Sequence, residues 1–171
     1  MKASPVKVGL GARLFTWSRL LTAFWARHAK VVAHGETPWT PLRKDPRECT
    51  VALVTTAGVH LATDEPFDMG DRRGDPSFRE IPSDAPGGSL SVTHDYYDHR
   101  DADRDVNVVF PVDRLRELRD KGEIGGTAPC HYSFMGHLTG PHLATLRDAT
   151  SRDVARRLGE AGVDIVVLSP A

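Results

Sequence analysis

A chain of 171 residues is the size of one domain, with too little left over for a second core. Forty per cent apolar and 26% charged residues lie near globular averages, which excludes a disordered tail or a fibrous repeat. Twenty-two Lys and Arg against 23 Asp and Glu leave a net charge of -1, too small a field to hold nucleic acid or an anionic membrane surface. The two cysteines, Cys49 and Cys130, belong to no CxxC pair and cannot build a disulfide framework, so the expected location is cytoplasmic.

Leu10, Leu14, Trp17, Leu21 and Phe24 recur every three or four residues, with Arg13, Arg19, Arg27 and Lys30 largely elsewhere, which predicts an amphipathic helix within residues 1–33. Its apolar face reads as docked on the body of the protein or on a partner subunit, with a membrane-surface anchor as the alternative. Arg19 interrupts the apolar stretch around it, so no span of ~18 apolar residues exists there, and no uncharged secretory core precedes a cleavage site. Export is not expected. Two prolines, Pro38 and Pro41, deny helix and central strand and predict an extended linker over residues 34–48.

Residues 49–171 read as an α/β domain. Residues 50–58 form an apolar, β-branched run closed by small residues, the pattern of a buried parallel strand. Residues 64–89 concentrate Gly, Pro and Asp and predict a long surface excursion. Short strands are expected over 89–93 and 106–110, the second stopped by Pro111. Residues 113–121 predict a helix with Leu115 and Leu118 inward and Gly122 past its end. A second helix is expected over 143–159, broken near 150–153 with Ser151 capping a new start. Residues 164–168 give a second buried strand. Strands alternating with helices predict a mainly parallel, doubly wound sheet of Rossmann-like style, whose ligands bind beyond the carboxyl ends of the strands. Thr55, Thr56, Gly58 and His60 lie at one such end, and Ser169, Pro170 and Ala171 at the other. A central parallel strand normally passes to a crossover helix, so a covering segment is expected after Ala171, with a terminal edge strand as the alternative.

Five stretches, VALVTTAGVH (51–60), THDYYDHR (93–100), DVNVVFP (105–111), GGTAP (125–129) and GVDIVVLSPA (162–171), together resemble the selenoprotein B family of glycine, sarcosine, betaine and D-proline reductases. The likeness covers roughly residues 37–171, and the length is closer to the short D-proline-reductase-type subunit. In that family the strand like 165–171 leads into a selenocysteine followed after two residues by cysteine, at the start of a helix. The resemblance therefore implies that selenocysteine follows Ala171, that its UGA codon has been read as a stop, and that no catalytic residue lies within the 171 positions. A selenolate at a helix N-terminus is kept ionised and nucleophilic by the helix dipole and free N–H groups. The resemblance further implies a pyruvoyl group on a partner subunit that binds a small amine or amino-acid substrate, a selenolate that breaks its C–N bond, and a dithiol or thioredoxin-like reductant. No cofactor bound to this chain itself is expected.

The other polar clusters leave alternatives open. Residues 94–105 hold His94, Asp95, Asp98, His99, Asp101, Asp103 and Asp105, and pairing at 94/98 or 95/99 would put metal ligands on one helical face. The spacing matches no standard metal motif, so the segment reads as a salt-bridged surface or a substrate- or subunit-facing loop; the resemblance favours the loop, with His94 and Asp95 lining the site. Cys130 and His131 are adjacent and point apart in most backbones, which argues against a catalytic pair and for a surface or half-buried thiol. His131 and His137 could orient substrate or serve the structure, and His60 stands just past a strand end. The expected function is a selenoprotein B-type reductase subunit. The alternatives are a non-catalytic partner subunit or truncated remnant of such a complex, and a metal-dependent hydrolase built on residues 94–105.

Overall fold

The computed structural model describes residue 27 and residues 40–171. The expected amphipathic helix, Arg27 excepted, and the start of the expected linker lie outside the described residues. Two compact units are present: Met1–Arg43 with Asp95–Asp98, and Lys44–His94 with His99–Ala171. Every described strand belongs to the second.

Its elements in chain order are β1 (Thr50–Thr55), β2 (Val59–Leu61), β3 (Phe78–Pro82), β4 (Leu90–Val92), α1 (Val112–Asp120), β5 (Gly126–Thr127), β6 (Cys130–Phe134), α2 (Pro141–Thr145), α3 (Ser151–Glu160) and β7 (Ile165–Ser169). β1 is the centre of the main sheet. It pairs in parallel with β7 along its whole length, Val51 to Thr55 against Ile165 to Ser169. β5 and β6 both pair in parallel with β1, at Thr50–Val51 and at Val54–Thr55, and so form one interrupted strand on its other side. β3 closes that side antiparallel to β6. A mainly parallel sheet with flanking helices is the architecture expected. β2 and β4 make a separate antiparallel pair.

Alternation along the strands separates two packed faces. On one, Ala52, Ala128, Tyr132 and Phe134 meet Val154 and Leu158 of α3, with Val54, Phe78, Cys130, Leu146 and Val163 at the margin. Val154 and Leu158 are four residues apart on one helical face, and burying each is worth about 1.5–3 kcal/mol. Val51, Leu53, Ile81, His131 and Ser133 are buried as well, as are Phe110, Val112 and Leu115 around α1. The lower edge is closed by Asp164, which accepts from Lys44 Nζ at 2.7 Å and from the Thr50 amide at 3.0 Å.

Five local expectations differ from the structure. Residues 106–108 are a 3-10 turn, because the Asp105 carboxylate takes both the backbone and side-chain N–H groups of Asn107 and so wins that backbone from a strand. The excursion contains β3, whose buried Ile81 pairs with His131. Leu118 is 42% exposed, since α1 is only nine residues long and turns its last leucine past the sheet. Ser151 caps no new helix: residues 146–150 form a π-helical turn between α2 and α3, and the Ser151 hydroxyl donates to Arg147 O within it. β7 also differs from a buried strand, for Val166, Val167 and Leu168 are 39%, 40% and 70% exposed. An apolar run reports what a strand can bury, whereas actual burial needs a neighbour on each side.

Candidate functional site

The carboxyl ends of β1 and β7 lie side by side, and the residues there are small and polar. Thr55 is fully buried; its Oγ1 is 3.0 Å from both Val109 O and Ser169 O and accepts the Ala57 amide at 3.1 Å. The Thr56 amide donates to Ser169 O at 3.2 Å, carrying the ladder one step beyond the strand. Pro170 offers no N–H, and the next donor, the amide of Ala171, is taken by the Thr56 hydroxyl at 3.1 Å.

A third segment closes on the same spot. After β6 the chain passes Met135, which bridges to Ala57, and reaches Gly136. A Cβ on Gly136 would lie 3.0 Å from Thr56 O and 3.1 Å from Ala171 O, so the two carbonyls crowd its Cα. The Gly136 amide donates to Nε2 of His94 at 3.2 Å, and His94 is 3% exposed. The lone pair of Nε2 is thereby occupied, which fits His94 to hold a backbone turn and removes that nitrogen as a base.

The remaining expected site residues separate into distinct places. Gly58 adopts φ +70°, donates to Phe134 O and accepts from the Thr93 amide, both at 2.9 Å. His60 sits on β2, with Nδ1 2.7 Å from Leu61 O and Nε2 2.9 Å from the Thr93 hydroxyl. A carbonyl can only accept, so Nδ1 carries a proton, and Nε2 meets the Thr93 hydroxyl, which leaves both ring nitrogens engaged. Asp95 belongs to the other unit, in an exposed turn. His137 Nε2 is 3.3 Å from Arg72 O. His131 is fully buried in β6, where burial first and the Arg116 charge second lower its pKa to about 4.

Residues 94–105 form turns, so the helical face that would align ligands is absent, and His99 Nδ1 pairs with Asp103 at 2.9 Å. Among the described residues no three His, Cys, Asp or Glu side chains converge on a metal-sized point. Neither thiol is activated. Burial raises the pKa of Cys49, and burial with the Glu80 carboxylate 3.8 Å away pushes Cys130 up to about 11. Cys130 and His131 occupy opposite faces of β6, as adjacent strand residues do.

Of the expected residues, then, Thr55, Thr56, Ser169 and, through Gly136, His94 are brought together. Gly136 was not expected. Its only sequence signal is a glycine directly after an apolar strand, which does not reveal that two distant carbonyls press on it. Away from this cluster, a concavity of about 530 Å3 is lined by Gly87, Gly88, Leu90, Asp103, Asp105 and Asp113 among others.

Residues 30–171 match the family model described as glycine/sarcosine/betaine reductase selenoprotein B. The chain is 42% identical over 131 residues to D-proline reductase subunit gamma of Acetoanaerobium sticklandii, covering 77% of this chain and 52% of that protein. It is 29% identical over 141 residues to glycine reductase complex component B subunit gamma of Carboxydothermus hydrogenoformans, covering 80% and 31%. It is 30% identical over 133 residues to betaine reductase complex component B subunit beta of Peptoclostridium acidaminophilum, covering 74% and 29%. The chain thus spans about half the length of the first relative and under a third of the other two. No solved structure matches it.

Proposed function

Because the chain belongs to the glycine/sarcosine/betaine reductase selenoprotein B family, we propose that the protein is the selenoprotein B-type subunit of a reductase complex that cleaves C–N bonds in amino acids or related amines. The observation that carries the reading is the junction of β1 and β7. Their carboxyl ends converge on Thr55, Thr56, Gly136 and Ala171, where an open parallel sheet places its chemistry. The stretch 162–171 resembles the strand that in this family leads into selenocysteine, so the nucleophile is proposed to follow Ala171. The state of the two cysteines supports this, since both are held as thiols and neither lies in the cluster.

On this reading the pyruvoyl group supplies the carbonyl that activates an amine, and it sits on a partner subunit; no residue of this chain is assigned to hold it. The part played by this chain is to present a selenolate to the substrate carbon from a fixed strand end. Attack forms a C–Se bond as the C–N electron pair departs with nitrogen, which takes a proton. One thiol of a dithiol or thioredoxin-like reductant then attacks selenium, the C–Se pair passes to carbon with a proton, and the second thiol releases the selenol as the dithiol becomes a disulfide. No helix among the described residues is long and apolar enough to cross a membrane, and the reading places the complex in the cytoplasm. The D-proline type of substrate is favoured, because the relative bearing that name shares 42% identity.

The test is to determine the codon after Ala171 and the selenium content of the protein made by its native host. An in-frame UGA with a cysteine codon three positions on, one selenium per chain and dithiol-dependent reduction of D-proline by the native complex are expected. A UAA or UAG codon, or selenium-free protein, would sink the reading. The protein would then be a non-catalytic partner subunit, in which the hydrogen-bonded rings of His60 and His94 serve the structure.

A further inference from the structure

We propose that Thr56 and Gly136, the latter held by His94, are positioning residues that fix the direction in which the chain leaves β7 and hence the reach of the nucleophile that follows. This inference rests on the reading above, in which that nucleophile comes directly after Ala171.

Alternate residues of a parallel strand face a given neighbour, so Ser169 and Ala171, on either side of Pro170, are the residues at and just past the end of β7 that face β1. The Thr56 amide holds Ser169 O at 3.2 Å, and the Thr56 hydroxyl takes the Ala171 amide at 3.1 Å. One residue thus grips the chain on both sides of Pro170. The backbone acceptor that a regular ladder would offer the Ala171 amide, Thr56 O, lies against Gly136, and the Thr56 hydroxyl takes its place.

Gly136 provides the opposing wall. Its φ is not in the left-handed region, unlike that of Gly58, Gly74, Gly122, Gly140 and Gly162, so conformational freedom does not explain a glycine there. Space does. With Thr56 O and Ala171 O 3.0 and 3.1 Å from the position of a Cβ, any side chain would press on both carbonyls at once. His94 Nε2, accepting the Gly136 amide at 3.2 Å, keeps this wall in place. His94 therefore acts through Gly136, and its buried ring needs no contact with substrate for its loss to be felt.

Fixing a nucleophile matters because a misplacement of about 1 Å can cost on the order of a hundredfold in rate. The experiment uses the full-length protein, with selenocysteine incorporated and assembled with its partner subunit, as wild type, Thr56→Val, Thr56→Ser and Gly136→Ala. Turnover and KM are read with D-proline, selenium content by elemental analysis, melting temperature by calorimetry, and the Ala171 amide by hydrogen exchange. Thr56→Val and Gly136→Ala are expected to lower kcat roughly ten- to hundredfold with KM little changed. The Ala171 amide loses protection in Thr56→Val. Thr56→Ser, which keeps the hydroxyl, recovers most of the rate. Selenium-containing wild type whose kcat survives both substitutions overturns the proposal alone. Wild type without selenium overturns the parent reading and this proposal with it. Should Gly136→Ala melt early, Thr56→Val decides, since it keeps the side-chain shape and removes only the acceptor.

Discussion

Leu53 and His131 share a hydrogen bond that the parallel ladder does not provide: the Leu53 amide, inside β1, donates to Nδ1 of the imidazole at 3.2 Å. The cause is local. The strand facing this part of β1 is interrupted at Ala128 and Pro129, between β5 and β6, and the Pro129 carbonyl is turned outward to the Ser83 amide at 3.0 Å. The ring of His131 fills the vacancy. With Nδ1 accepting, the neutral ring carries its proton on Nε2, which is buried without a hydrogen-bond partner.

This arrangement predicts an acid-labile core. In the unfolded chain His131 titrates near 6.5, whereas burial, aided by the Arg116 charge, holds it at about 4 in the fold. The unfolded state therefore takes up the proton first as pH falls. The stability contribution is complete above pH 6.5 and is lost through the window down to 4, by roughly 3 kcal/mol. His131→Phe should be less stable at pH 7, because the Leu53 amide loses its acceptor at a cost of about 1–3 kcal/mol. It should also lose less than wild type on going from pH 7 to pH 4. Urea melts of both proteins at pH 7, 5.5 and 4 check this, and parallel pH curves would count against it.

Two glycines should respond in opposite directions. Gly58 combines φ +70° with a close approach, since a Cβ there would run into the Thr93 carbonyl. Gly58→Ala is expected to destabilise by about 1–3 kcal/mol, from the left-handed backbone and the displaced strand pair together. Gly159 lies inside α3 with nothing near its missing Cβ. Gly159→Ala should stabilise by about 0.5–1 kcal/mol, as helix propensity predicts. Thermal melts of the two variants settle both signs.

The elements legible in the sequence were those whose signal is local. β1, β7, α1 and α3 each carry an apolar run or a three-to-four spacing that survives without knowledge of neighbours. β3 was hidden because Phe-Arg-Glu-Ile-Pro buries only Ile81 fully. Val106, Asn107 and Val108 misled because β-branched residues suggest a strand, whereas the decisive bonds come from the flanking Asp105 and from Asp113. The same division holds at the site. Thr55, Thr56 and Ser169 follow from the rule that parallel strands end at ligands. The grouping of Gly136 with His94 depends on four segments meeting, which spacing along one chain does not encode.

Arg116 joins α1 to the turn after β3 through a fork that a lysine cannot copy. Its Nε and Nη2 donate to Ser83 O at 2.9 and 2.6 Å, Nη2 also to Ala85 O at 2.6 Å, and Nη1 to Asp113 at 2.7 Å. Arg116→Lys keeps the charge but not the planar geometry, so it should lower stability by about 1–3 kcal/mol. Arg116→Met removes the charge as well. Because that charge helps to keep His131 neutral, the His131 titration should lie at higher pH in Arg116→Met than in Arg116→Lys, and the stability lost between pH 7 and pH 4 should be smaller. Coincident His131 titrations, read by NMR, would show that burial alone sets the histidine.

Cys130 tests whether this chain's own sulfur can replace the proposed nucleophile. Burial comes first and the Glu80 carboxylate second in raising its pKa from an ordinary 9.0 to about 11. At pH 8 about one sulfur in a thousand is then thiolate. Reaction with iodoacetamide should be slow and should still be accelerating with pH beyond 9.5, where an ordinary thiol levels off. Glu80→Gln removes a negative charge 3.8 Å from the sulfur and should speed alkylation several-fold at pH 8. It leaves the desolvation in place, so the rate stays below that of a free thiol. Cys49, with no exposed surface, should react only as the fold opens. Mass spectrometry of the peptides holding Cys49 and Cys130 distinguishes the two sites. Rapid alkylation of Cys130 at pH 7, with a rate profile centred below pH 8, would show an activated thiol within the chain and move the candidate chemistry to β6.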